Sequence, residues 1–471
     1  MALDDSLAIN LQTETVGVTA ELVDRYNVPG PRYTSYPTAP EWLDSFGPAE
    51  FEKSFEESNA AQPQRPLSLY MHLPFCDSLC LFCGCNVVIN RNHEVAHPYI
   101  QKLKQEIDRV ARRLDRSRPV VQFHWGGGTP TYLSPVQLED LFLHTKERFT
   151  FTQDAEIGLE VDPRVTSQDH VMALRRLGFN RISMGVQDFN PLVQKTIHRI
   201  QPYDLTRDLV DSCRAQGYES INIDLIYGLP HQTSDTFADS VDKVIQLRPD
   251  RVAMFSYAHV PWLKKQQNSF AQSIPQGMAK FQIFRAGIER FTRAGYFYIG
   301  MDHFALSEDE LYTAQHNRTL HRNFQGYTTK AGSDLFAMGV SSISGLERVY
   351  AQNFRDLKDY YTAMEGGDLP TMRGIRLNHD DLVRRAVINR ILCHCVVHKK
   401  EIEDAFNLDF DEYFADELVR LKGLEKDGLV RLTSDSLFIT SLGRIFIRNA
   451  GMVFDKYLQK TQDRPLFSKT L

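Results

Sequence analysis

Four of the chain's seven cysteines fall close together in HLPFCDSLCLFCGCN, as Cys76, Cys80, Cys83 and Cys85. The spacing Cys-x3-Cys-x2-Cys-x-Cys can be read in three ways. A structural zinc site usually draws on two separated ligand pairs, and this loop has no distant partner pair, so it matches poorly. Thiols that serve only packing would need aliphatic neighbours, and the loop carries few. Thiolates at this spacing can instead hold an iron–sulfur cluster, with Cys76, Cys80 and Cys83 on three irons of a cubane and the fourth iron open. An open iron needs a ligand of its own. The other cysteines do not suggest a second cluster: Cys213 is isolated, and Cys393 and Cys395 are two apart on a predicted helix, so they read as packing.

The loop follows a strand-like run, PLSLYMHL, and five more such runs come after it: VVQFHWG, AEIGLEV, RISMGV, INIDLIYG and RVAMFSYA. Helical stretches such as 94–114, 135–148 and 204–216 separate them, which reads as consecutive βα units and a parallel sheet, closed or partly closed into a barrel. In such folds reactive groups gather at the C-terminal ends of the strands. The unusual residues fall there: the cysteines after the first strand, GGGTP after the second, Glu160 and Asp162 after the third, and Gln187 and Asp188 after the fourth. Asp224 and Tyr227 are expected at the end of the fifth strand, and Ala258 and His259 at the end of the sixth. Gly126 to Gly128 would make a tight turn that lets main-chain groups approach a ligand. Glu160 ends an apolar strand, where a carboxylate needs a partner or a ligand hydroxyl to offset burial.

The 471 residues exceed one ordinary core. The expected divisions are an N-terminal arm and helical lead-in over 1–60, a barrel core over 61–305, a barrel extension and connection over 306–374, and a C-terminal domain over 375–471. The last should be mostly helical, with two helices and a short hairpin in a winged-helix-like arrangement. YNVPGPRYTSYPTAPEW suits neither helix nor strand interior and reads as an ordered arm. Apolar content of 42%, charged content of 24% and no biased tract place the chain among globular proteins. A net charge of −6 without like-charge blocks argues against a nucleic-acid partner. Neither a signal peptide nor a run of roughly 18 apolar residues is visible, so no membrane span and a cytoplasmic location are expected. A reducing compartment makes clustered cysteines metal or redox groups rather than disulfides.

The cysteine loop after the first strand, with the aromatic Phe82 before the third cysteine, resembles the radical S-adenosylmethionine (SAM) superfamily. That resemblance implies a partial (β/α)6 barrel and one 4Fe-4S cluster on Cys76, Cys80 and Cys83. It also implies SAM on the open iron, cleaved to methionine and a 5′-deoxyadenosyl radical. GPRYTSYPTA, CGCN, SMGVQDFNPLVQ, NIDLIYGLPHQT, GMDHFA and HRNFQGYTT narrow the resemblance to the oxygen-independent coproporphyrinogen III oxidase family. Its implied reaction belongs to heme biosynthesis: two propionates of coproporphyrinogen III are oxidatively decarboxylated to vinyls, giving protoporphyrinogen IX. Two SAM molecules are implied. Tyr70, Gly127, Glu160 and Ile343 would contact the cluster-bound one, and Phe82, Gly128, Thr129, Gln187, Arg199, Asp224 and Ala258 the second.

Cys85 is expected beside the active site and not as a fourth ligand, which would close the open iron. Arg32 and Arg322 are candidates for the substrate carboxylates, because guanidinium binds them bidentately. A reductant protein as electron donor and a monomeric state are further expectations of the resemblance. Two rival readings share the superfamily: a heme chaperone, whose members typically lack the cysteine at position 85 and the GPRYTSYPTA arm, and a heme-degrading methyltransferase, separable by its product.

Overall fold

The computed structural model describes residues 17–61, 64–458 and 466–471, so the start of the expected 1–60 arm lies outside the described residues. The six strand-like runs form β1 (Leu67–Leu73), β2 (Val120–Gly127), β3 (Phe151–Val161), β4 (Arg181–Gln187), β5 (Ser220–Tyr227) and β6 (Arg251–Ser256), all parallel to one another. The main sheet continues with β7 (Phe297–Gly300), β8 (His303–Ala305), β9 (Asp334–Met338), β10 (Ile343–Gly345), β11 (Val349–Asn353) and β12 (Thr371–Arg376). Its order is β12-β11-β10-β9-β1-β2-β3-β4-β5-β6-β8-β7, an open arrangement of twelve strands. The segment expected as a barrel extension therefore supplies β9–β12, of which β9 runs parallel to β1.

Strand alternation sorts the side chains. On β2, Phe123 and Trp125 point to the helices and pack with Phe142 and Phe179 at centroid distances of 4.9–6.0 Å. Gln122 and His124, one residue out of phase, face the barrel interior and line a cavity there. The same phase turns Glu156 and Glu160, Arg181 and Ser183, Asn222 and Asp224, and Arg251 inward. Apolar faces thus hold the helices while the interior is polar.

Asp224 sits within β5 rather than at its end, and β6 stops at Ser256, two residues before Ala258. The C-terminal region is richer than two helices and a hairpin. Helices His379–His394, Lys399–Phe406 and Ala415–Lys426 pack with a three-stranded sheet in which Val396–His398 pairs beside Ser436–Ile439. Cys395 is not helical. It caps helix His379–His394 with φ of 57°, and both it and Cys393 are buried.

The arm is ordered by long-range contacts. Arg32 pairs with Asp302 at 2.8 Å, Tyr33 donates to Asp455 at 2.9 Å, and Arg448 donates to the Pro31 carbonyl at 2.9 Å. Residues 468–470 run antiparallel to 28–30 and strap the arm down.

One buried ion pair joins the sheet's two halves. Arg118, just before β2, meets Asp334, the first residue of β9, at 2.7 Å with both side chains almost wholly buried. Ser58 on helix Pro48–Ala60 bridges them, accepting from Arg118 and donating to Asp334. Removing one member strands the other charge. Asp334→Ala is expected to lower the unfolding free energy by about 3–5 kcal/mol in urea denaturation.

Candidate active site

The cysteine loop is fixed by the glycine turn that follows β2. The Gly128 amide donates to the Leu73 carbonyl at 2.8 Å and the Thr129 amide to Phe75 at 2.9 Å. A Cβ on residue 128 would lie 2.5 Å from the Pro74 main chain, and one on residue 127, where φ is +112°, would lie 2.4 Å from the His72 ring. Glycine is required here because the second turn presses on the first. More bonds hold the loop from the far side. Lys264 donates to the Cys85 carbonyl at 2.6 Å, Gln266 to that of Cys83 at 3.3 Å, and Gln267 to those of Phe82 and Ala258 at 3.1 and 3.2 Å.

The thiols have unequal settings. Cys80 is buried and accepts from Arg164 at 3.3 Å and Arg199 at 3.6 Å, while both arginines also pair with Asp162, at 2.6 and 3.0 Å. Cys76 lies 3.4 Å from the Thr129 hydroxyl, and burial pushes its thiol up to about 11. A hydrogen bond from Cys85, helped by nearby Lys264 and Arg199, draws Cys83 down to about 6. Cys85 itself is exposed.

Three cavities meet at Glu160. The first, of about 280 Å³, is bordered by Cys76, Cys80 and Cys83 together with Phe82, Gly128, Thr129, Gln187, Arg199 and Asp224. The second, also about 280 Å³, is bordered by Tyr70, His72, Asn86, Gln325 and Ile343. Cys85, Gly127 and Glu160 border both. The third, of about 200 Å³, is the polar barrel interior and shares Glu160 with the other two.

The expected SAM contacts divide between the first two cavities in the groups proposed for them, with Ala258 on neither wall and held beside Phe82 by Gln267. The cysteines share a cavity with the Gly128 group, whereas Tyr70 and Ile343 lie across Glu160. Arg32 is already engaged by Asp302, and Arg322 borders a different cavity, beneath the arm.

Burial alone would raise Glu160, but His124, 3.9 Å away, and the Gly127 amide at 3.1 Å hold it below the ordinary carboxylate value. Burial, reinforced by the Glu160 charge, pushes Asp224 up to about 7. Gln187, with φ of 72°, leaves its buried Oε1 without a hydrogen-bond partner. A strained residue aiming an unsatisfied acceptor at a cavity marks a place where a ligand donor belongs.

The donor set fits a cubane better than a single ion. Among the described residues no three of His, Cys, Asp and Glu converge on one metal position. A cubane attaches each thiolate to a different iron and needs no such convergence, and the Arg164 and Arg199 cations suit its negative charge. Arg164 and His72 are not among the site residues expected from the sequence. The strand phase that turns Tyr70 and His124 inward would also have found His72.

A family model described as Radical SAM superfamily matches residues 70–244, and one described as HemN C-terminal domain matches 377–446. Fold and site together define a radical SAM enzyme. Oxygen-independent coproporphyrinogen III oxidase from Synechocystis sp. is 46% identical over 97% of this chain and 99% of that protein. Its namesake from Pseudomonas aeruginosa is 44% identical over 97% and 100%. The solved structure of Escherichia coli coproporphyrinogen III oxidase, a radical SAM enzyme, superposes with a TM-score of 0.87 at 45% identity, covering 90% of this chain and 97% of that one. The chain belongs to the oxygen-independent coproporphyrinogen III oxidase family.

Asp224 offers a pH test. Its folded value near 7 lies above the unfolded 3.8, so the folded state retains a proton in between and stability falls as pH rises through that window. Asp224→Asn removes this dependence. The variant's stability advantage in urea denaturation should grow from pH about 4 to about 7, by up to about 4 kcal/mol, and then level off.

Proposed function

We propose that this chain oxidatively decarboxylates two propionates of coproporphyrinogen III to vinyls, giving protoporphyrinogen IX in heme biosynthesis. Cys76, Cys80 and Cys83 hold a 4Fe-4S cluster, and the two cavities joined at Glu160 each take one SAM. When bound, the cluster supplies the electron that cleaves SAM to methionine and a hydrogen-abstracting 5′-deoxyadenosyl radical. The observation that carries this reading is the cavity ringed by three cysteines and opening past Glu160 into a second cavity of equal size.

The chain's own residues bind, orient and shield. Tyr70, Gly127, Glu160 and Ile343 contact the cluster-bound SAM, and Gly127 and Glu160 border the cysteine cavity as well. Phe82, Gly128, Thr129, Gln187, Arg199, Asp224 and Ala258 contact the second, around which Thr129, Gln187, Arg199 and Asp224 place hydrogen-bonding groups. Cys85 and Glu160 stand on both walls, so a propionate reaching this junction is within reach of either cavity. Loss of a hydrogen atom from the propionate β-carbon, then of carbon dioxide and one electron to an acceptor, completes each vinyl. Arg322 is available to a substrate carboxylate, while Arg32 anchors the arm through Asp302. A monomer that works in the cytoplasm and takes electrons from a reductant protein completes the proposal.

Anaerobic reconstitution with iron and sulfide, followed by mass spectrometry of coproporphyrinogen III with SAM and a reductant, tests it. Stepwise loss of two carboxyl groups with 5′-deoxyadenosine formation is expected. Cys80→Ser should lower both by at least about 100-fold, since its thiolate cannot be replaced by a hydroxyl. A loaded native protein that cleaves SAM and leaves the porphyrinogen intact would contradict the reading.

A further inference from the structure

A fourth cavity, of about 250 Å³, lies under the arm, between Tyr33–Tyr36 and the hairpin of strands His321–Asn323 and Gly326–Thr328. Its walls include Arg65, Arg322, Lys330 and Arg385. Arg65 is neutralised by Glu347 at 2.7 Å, and Glu347 is the only carboxylate on the walls among the described residues. No carboxylate pairs with the other three among the described residues. Arg385 donates to the Glu347 main-chain oxygen at 2.7 Å and to the Tyr350 hydroxyl at 3.4 Å, both neutral acceptors. Glu310, whose charge Lys330 also reaches, is already paired with Arg181 and Arg251 at 2.9 Å.

Arg322 is the most telling of the group. Its side chain stacks over Tyr327 with 4.8 Å to the ring centroid, and its Nε donates to the Arg32 carbonyl at 3.3 Å. The residue is 6% exposed, and Nη1 is buried with no hydrogen-bond partner. A buried guanidinium without a carboxylate is costly unless a ligand supplies one. His321 adds no charge near neutral pH, because burial, with Arg385 close by, pushes it down to about 4.

Phe324 and Leu335 border both this cavity and the second cavity of the active site. We propose that the cavity under the arm is a carboxylate subsite, in which Arg322, Lys330 and Arg385 hold the propionates of the tetrapyrrole that do not react. This deepens the proposed function and rests on it. Two of four carboxylates leave as carbon dioxide, so only the surviving pair offers ionic handles that persist through both decarboxylations. The subsite therefore grips substrate and product alike, and leaves the reacting edge of the ring toward Glu160 and Cys85.

The test uses the reconstituted full chain and coproporphyrin III, the stable oxidised tetra-acid, as the fluorescent probe, so binding is read without turnover. Lys330→Glu/Arg385→Glu should raise its Kd at least tenfold, about 1.4 kcal/mol, and the milder Lys330→Gln/Arg385→Gln several-fold. The tetramethyl ester should bind the native protein weakly and both variants alike. Iron content and the urea midpoint of each variant report whether it has folded. Equal affinity of native and charge-reversed protein for the tetra-acid, no binding to the native protein, or ester binding as tight as that of the acid would overturn the subsite. Turnover of coproporphyrinogen III alongside any of these outcomes would leave the proposed reaction standing. Binding as expected without decarboxylation would instead remove the reaction.

Discussion

Everything at the site depends on one close contact, the main chain of residues 127–129 lying against that of 73–75. The turn after the second barrel strand is pressed onto the loop after the first so tightly that a single added carbon at residue 128 has no room. That contact fixes where Cys76 stands relative to Thr129, and so where the first cavity opens. Rigid strands on either side carry the position outward, which is how a loop can hold a geometry that a long flexible segment could not.

Electrostatics divide the interior into zones. Around the cysteines, Arg164 and Arg199 are balanced by Asp162 and still reach Cys80, which suits an anionic cluster. At the junction of the cavities, one carboxylate, Glu160, is held ionised and its neighbour Asp224 is pushed toward neutrality. Burial does most of this for Asp224, and repulsion by the Glu160 charge adds to it. Farther out, beneath the arm, the balance tips to cations. A neutral or anionic ligand spanning these zones meets a different field at each end.

Much of this was legible in the sequence, for physical reasons that differ by element. The six parallel strands announced themselves as apolar runs separated by helical stretches, and the cysteine spacing carried its chemistry without any tertiary information. The glycine run was located correctly, and crowding by His72 and the Pro74 main chain is a further reason, invisible in the sequence, that residues 127 and 128 are glycine. Residues 306–374 were expected as a barrel extension but not as strands β9–β12, because such short runs have weak periodicity and take their place only through β9 lying parallel to β1. Cys395 was read as helical since a left-handed cap on a cysteine leaves no signal in composition. The engagement of Arg32 by Asp302, 270 residues away, and the want of a carboxylate beside Arg322 among the described residues are encoded by no local pattern.

The central claim is that two ligand cavities, one ringed by the cysteines and one across Glu160, each take a SAM molecule. Equilibrium dialysis of radiolabelled SAM against the anaerobically reconstituted native chain and Cys80→Ser measures this most directly. The account predicts two molecules per native chain and one in the variant, which loses the iron that anchors the cluster-bound molecule and keeps the site of the second. A single molecule per native chain, or an unchanged count in Cys80→Ser, would contradict it.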